Sequence, residues 1–198
     1  YTAGMTSVTS ALFNPGWKDR LGVDYSNLVL PDTGEHLTQA RFEELRSSSR
    51  AREVLLYVNT ESTVDSVITQ PLTIIASDGG IGHPRNAGTY SRVLARYVRS
   101  QGALTLMDAL RKMTLMPAQR LERATPAARQ KGRLQEGVDA DLVIFDPATI
   151  QDRSTYEAPM EPSVGVKYAL VAGTVVVDEG TIVSKVYPGR ALLGPRRQ

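Results

Sequence analysis

The chain has 198 residues, 41% of them hydrophobic and 22% charged, with a formal charge of +2. That is the composition of a soluble globular protein, and its Lys and Arg are scattered, which argues against a nucleic-acid or membrane partner. It has no cysteine, which excludes a disulfide framework, cysteine-based zinc sites and a thiol nucleophile within these residues. No apolar run reaches the length of a membrane span, and the start shows no signal-peptide pattern; a cytoplasmic location is the expectation, though the natural start is not in view. The first residue is Tyr1, not methionine, and a piece of a longer polypeptide is expected.

Residues 1–36 are rich in Thr, Ser, Gly, Asn and Asp and read as loop and turn, with a short helix over about Ser7–Leu12 as the one element on offer. Thr38 can cap a helix running to about Arg46, with Leu37 and Phe42 at the spacing of a hydrophobic staple. The continuous apolar run Val54-Leu55-Leu56-Tyr57-Val58 predicts a strand covered on both faces. Thr60 offers a cap for the next helix, and Pro71 stops it. Leu72–Ala76 then reads as a second buried strand, ending at Ser77-Asp78-Gly79 and a glycine-rich turn that carries His83 and Arg85 toward a helix.

Tyr90, Val93, Leu94, Tyr97 and Val98 recur at helical spacing and predict an amphipathic helix whose stripe is core. Thr105 and Asp108 open another helix, and Pro117 a short one through about Leu121. Strands alternating with helices over residues 38–122 indicate parallel βαβ connections. From about Lys131 short strand-like runs take over: Gly132-Arg133-Leu134, Ala140–Asp146, Val166–Val171 and Thr174–Asp178. A hairpin is expected around Ala172-Gly173. This divides the chain into residues 1–125 and an all-β module at 126–198, closed by Arg196-Arg197 as a solvated tail.

Several of these stretches together resemble the N-acyl-D-amino-acid deacylases (D-aminoacylases) of the metal-dependent amidohydrolase superfamily. They are Tyr1-Thr2-Ala3-Gly4, Ser77-Asp78-Gly79, His83-Pro84-Arg85 leading into Gly88–Val98, Ala109–Thr114, and Gly137–Pro147 with its Gly-x-x-Ala-Asp-Leu signature. The resemblance covers most of the chain and is densest from residue 71 to 148. It implies an α/β fold class: the C-terminal portion of a TIM barrel (1–125) followed by part of a small all-β sandwich module (126–198). It also implies a zinc-dependent hydrolase that cleaves the amide of a small-molecule N-acyl-D-amino acid. The family's His-x-His and its other main metal ligands would lie before Tyr1. The two histidines here, His36 and His83, form no such pair, so the fragment alone is expected to be inactive.

The resemblance assigns roles residue by residue. Asp78 would take the proton of the water attacking the amide carbon and deliver it to the leaving nitrogen. A carboxylate suits this because metal coordination brings the water's pKa to roughly 7. Asp78 is also the one candidate metal ligand. Its plain alternative is an Asp-Gly turn or helix cap. Arg85 would grip the substrate's α-carboxylate through its planar fork, against the alternative of a surface arginine near a helix start. Tyr1 and Ser7 would help bind substrate; otherwise they are loop residues. His83 is either a contact to substrate or its surroundings, or a loop histidine bonded to backbone. His36 reads as an ordinary loop residue, and Asp139 and Asp141, although paired, as structural. The alternatives carried forward are a cyclic-amide amidohydrolase of hydantoinase or dihydroorotase type, a dipeptide hydrolase, and a non-catalytic interaction module.

Overall fold

A computed structural model of the protein describes residues 1–80 and 82–194, so the Arg196-Arg197 pair lies outside the described residues. The chain divides into two compact units. One takes residues 1–70, 78–86 and 154–161, and the other takes 71–77, 87–153 and the described residues from 162 onward.

In the first unit, β1 (Ala3–Ser7) and β2 (Leu28–Val29) flank β3 (Glu53–Tyr57) in a three-stranded sheet, both antiparallel to it. The two-residue pleat of β3 sends Val54 and Leu56 to one face, among Val8, Phe13, Trp17, Leu28 and Phe42. Leu55 goes to the other, with Ala3 and Val29. Both faces of β3 are therefore covered, as its unbroken apolar run predicts. Each fully buried Leu or Phe contributes roughly 1.5–3 kcal/mol.

Helices α1 (Trp17–Leu21), α2 (Gln39–Ser47) and α3 (Glu61–Thr69) complete this unit. Thr38 caps α2 by accepting from the Arg41 amide at 3.3 Å, and Thr60 caps α3 from Thr63 at 3.1 Å. Leu37 and Phe42 are both buried, as a staple requires.

Two expectations fail here. Residues 1–36 are not merely loop: they supply β1, β2, α1 and much of the core. The alternation of helix and strand does not produce parallel pairing either, because β3 is occupied on both edges by antiparallel neighbours.

Helix α4 (Arg85–Arg92), which belongs to the second unit from Ala87 on, runs on as a π-helix from Val93 to Ser100 that buries Val93, Leu94, Ala95 and Tyr97. Tyr90, the first residue of the predicted stripe, is exposed. Helices α5 (Leu106–Met113) and α6 (Leu115–Leu121) follow, α5 capped by Thr105 through the Asp108 amide at 3.1 Å.

Leu72–Ala76 forms no strand, and Leu72 is 91% exposed. Helix α5 meets the segment's backbone groups instead of a neighbouring strand. The Ile75 amide donates to Lys112 O at 3.1 Å, and the buried Lys112 Nζ donates to Thr73 O at 2.9 Å and to Thr73 Oγ1 at 3.0 Å. Burial holds the Lys112 ammonium below the usual lysine range, with Asp108 opposing.

Strands β4 (Leu142–Phe145), β5 (Val166–Val171), β6 (Thr174–Asp178) and β7 (Thr181–Ile182) form an antiparallel sheet in that order. Val171 pairs with Thr174, leaving the expected two-residue turn with φ +49° at Ala172 and +77° at Gly173. That sign at both positions matches the twist of a tight hairpin. Gly132-Arg133-Leu134 is not a strand: Arg133 is held by Glu122 at 2.7 Å in a turn. Asp139 and Asp141 share Lys131, and Asp141 Oδ1 also accepts from the Ala172 amide at 2.8 Å. The pair is tied into the structure, and Lys131 first, then Ala172, holds Asp141 below the usual carboxylate range.

Gly165 is one of the tight points of this unit. Its φ is +87°, and a Cβ there would sit 2.4 Å from Ile150 Cα and 2.5 Å from Ile150 N. Backbone cannot swing aside as a side chain can. Gly165→Ala is expected to cost about 2–4 kcal/mol, read as a lower urea midpoint in chemical denaturation.

Candidate active site

The glycine-rich loop belongs to the first unit, with Tyr1 and residues 154–161. Asp78 has φ +45°, a left-handed conformation that Asp tolerates better than most residues. Its side chain is 83% exposed, whereas that of Arg85 is 19% exposed and places Nη2 3.0 Å from Asp78 Oδ2. An ion pair this open to water is worth at most about 1 kcal/mol. Its interest is geometric: a carboxylate and a guanidinium fork are presented together. Gly79 permits the close turn between them, since a Cβ there would meet Asn86 Oδ1 at 2.3 Å.

His83 is 0% exposed. The Arg85 amide donates to His83 Nδ1 at 3.1 Å, so Nε2 carries the ring proton and donates to Ala3 O at 2.9 Å. Both ring nitrogens thus hold backbone. Tyr1 and Tyr156 meet the ring edge-on, with centroids at 5.6 and 5.4 Å.

Burial pushes the His83 imidazole below its ordinary value. The Ala3 carbonyl opposes that shift, Arg85 adds to it, and Asp78 opposes it. The fold therefore prefers neutral His83. Its contribution to stability is complete above 6.5, the free imidazole's value, and declines as pH falls below that. Urea titrations at pH 7.5 and 5.5 should show that decline, and His83→Gln should flatten it.

Tyr1 Oη lies 3.4 Å from Ser154 Oγ. Ser154 spends its own proton on Pro84 O at 2.8 Å, so Tyr1 is the donor between them. Ser7 lies at the opposite end of β1, paired across from Glu53, with its Oγ accepting from the Thr9 amide at 3.2 Å. At about 3.3 Å per residue that puts it roughly 20 Å from Tyr1. The structure brings Asp78, His83, Arg85 and Tyr1 together and leaves Ser7 apart. His36 bonds Ser26 O at 2.8 Å in its loop.

Sequence reasoning missed Ser154 and Tyr156. Tyr156 Oη accepts from the Ala3 amide at 3.1 Å, and its ring lies 5.2 Å from that of Tyr57. The one signal for it was an aromatic residue inside the polar loop Ser154-Thr155-Tyr156-Glu157, where solvent gives it no reason to be. An open cavity of about 310 Å³ beside it, lined by Pro31, His36, Tyr57, Tyr156 and Glu157 among others, includes neither Asp78 nor Arg85.

Among the described residues no three or more His, Cys, Asp or Glu are grouped to hold a metal, and no helix is long and apolar enough to cross a membrane. Asp78 could supply one ligand, but these residues do not make a metal centre by themselves.

Residues 31–177 match the amidohydrolase family, and the chain belongs to that family. Within it, the chain is similar to deacylases of N-acyl-D-amino acids. It is 31% identical over 194 residues to N-acyl-D-aspartate deacylase of Alcaligenes xylosoxydans xylosoxydans, covering 96% of this chain and 36% of that protein. The structure of N-acyl-D-glutamate deacylase from Bordetella bronchiseptica superposes with a TM-score of 0.77 at 28% identity, over 97% of this chain and 41% of that one. A D-aminoacylase crystal structure gives a TM-score of 0.74 at 26% identity, over 93% and 40%. The chain thus spans well under half the length of the relatives it matches.

Proposed function

We propose that the whole protein to which this chain belongs hydrolyses the amide of N-acyl-D-amino acids, releasing a D-amino acid and a carboxylate. The observation that carries this is the Asp78–Arg85 pair at 3.0 Å in a chain of this family. Asp78, exposed and only weakly held by the pair, takes a proton from the attacking water and returns it to the departing nitrogen. Arg85 offers the substrate's α-carboxylate a planar fork of donors. Tyr1 borders this group as a substrate contact. His83, buried and bonded on both nitrogens to backbone, acts through Arg85 and not on substrate, and Ser7 takes no part.

The same proposal carries the finer architecture: residues 1–125 are the C-terminal part of an α/β barrel, and 126–198 part of a small β-sandwich. It also carries zinc as the cofactor. The Bordetella bronchiseptica relative is complexed with zinc and a phosphonate that mimics the tetrahedral intermediate. In the protein proposed here the main ligands belong to the portion of its relatives that this chain does not span, with Asp78 as the single candidate ligand within it. The expected partner is a small molecule, with no nucleic acid or membrane, and the expected location is cytoplasmic.

The test is a substrate panel on the zinc-loaded, full-length protein. N-acetyl-D-aspartate and N-acetyl-D-glutamate should turn over faster than their L-enantiomers, hydantoins and dihydroorotate, and residues 1–198 alone should be inactive. Preferential turnover of a cyclic amide or an L-substrate would replace this reading.

A further inference from the structure

Residues 154–161 join the first unit although they follow its other residues by about 70 positions, and no part of the proposed chemistry uses them. They contact Tyr1 itself and the backbone or side chains that flank His83 and Arg85. Tyr156 Oη accepts from the Ala3 amide at 3.1 Å. Ser154 Oγ donates to Pro84 O at 2.8 Å and takes Tyr1 Oη at 3.4 Å. Asn86 Nδ2 lies 3.2 Å from Met160 Sδ.

These contacts link into one polar chain. The Ala3 amide is fixed by Tyr156, and the Ala3 carbonyl accepts from His83 Nε2 at 2.9 Å. His83 Nδ1 accepts from the Arg85 amide at 3.1 Å, and the Arg85 guanidinium reaches Asp78 at 3.0 Å. Each link is directional, and His83 can serve both of its links only as the Nε2–H tautomer. The rings of Tyr156, Tyr1 and His83 pack edge-on about the buried His83–Ala3 bond, while the outer end of the chain at Asp78 is exposed. Hydrogen bonds of this kind fix one geometry because a donor or acceptor shut away from water is costly to leave unpaired.

We infer that Ser154 and Tyr156 are positioning residues: a strap that sets Arg85 and Tyr1 for the substrate carboxylate through Ala3, His83 and Pro84. The inference rests on the proposed function for what Arg85 binds, but not for the strap itself. Neither residue touches substrate. Their effect is on where the loop 78–86 is held.

Tyr156→Phe is the informative substitution, because it removes one oxygen and keeps the ring that packs on Tyr57 and His83. Peptide-level amide hydrogen exchange on the full-length protein should show residues 78–86 exchanging about tenfold faster in Tyr156→Phe, since loss of one such bond is worth about 1.4 kcal/mol of local opening. Exchange across β5 and β6 should be unchanged. With N-acetyl-D-glutamate, KM should rise about tenfold while kcat stays within twofold, and Ser154→Thr, which keeps the hydroxyl, should behave as wild type where Ser154→Ala does not. Unchanged exchange in 78–86, or equal loss in kcat and KM together with faster exchange throughout the protein, would overturn the strap. A wild-type protein that fails on all N-acyl-D-amino acids, with the exchange difference intact, would remove the proposed function and leave the strap standing.

Discussion

Asp78→Asn in the zinc-loaded, full-length protein is expected to lower kcat by about 10³-fold, with substrate affinity nearly unchanged. The substitution preserves size and shape but abolishes the ability to hold a proton and release it within the turnover. Positioned acid–base groups contribute about 10²–10⁴-fold, and this one would act twice, on the water and on the leaving nitrogen. The left-handed backbone at Asp78 is also one that Asn adopts readily, so a folding defect should not obscure the result. Stopped-flow or steady-state kinetics with parallel zinc analysis by atomic absorption decides it. Turnover near the wild-type rate with zinc retained would show that the proton is handled elsewhere.

Arg85→Ala should act on the other parameter, raising KM for N-acyl-D-amino acids about hundredfold and kcat far less. The fork grips the carboxylate equally in the ground and transition states, so its removal takes away uniform binding, about 2.7 kcal/mol at that ratio. Arg85→Lys should recover only part of it, because an ammonium keeps the charge but not the planar fork. An N-acyl amine lacking the carboxylate supplies the control. Its hydrolysis should be the same in wild type and in Arg85→Ala, and a slower rate there would assign Arg85 to the fold instead of the substrate.

The local elements of this protein were legible where the determinants were local. Thr38, Thr60 and Thr105 each cap the helix their spacing announces, and the apolar run of β3 is covered on both faces. The two-residue turn at Ala172-Gly173 is where its sequence puts it. Pairing was not legible, because it is decided by partners distant in sequence. Ala3-Gly4-Met5-Thr6-Ser7 has no strand signature and becomes β1 only against β3. Leu72–Ala76 has a strand's composition but forms no strand, and its backbone is met by Lys112 of α5, 39 residues beyond Thr73.

The site followed the same rule. Asp78, His83 and Arg85 are neighbours in sequence and were found together, and Tyr1 was reached through resemblance. Ser154 and Tyr156 come from a loop about 70 residues further on that no local pattern connects to the others.

The one tryptophan of this chain, Trp17, is buried edge-on to Phe13 and Tyr25 in the first unit. Its intrinsic fluorescence is therefore a reporter for that unit alone, excited near 295 nm without interference from the eight tyrosines. In the isolated chain, an emission red-shift would follow loss of the core around β3, while circular dichroism would follow helices and strands in both units. Coincidence or separation of the two unfolding curves would measure directly whether the unit that carries Asp78 and Arg85 melts together with the one that carries the four-stranded sheet.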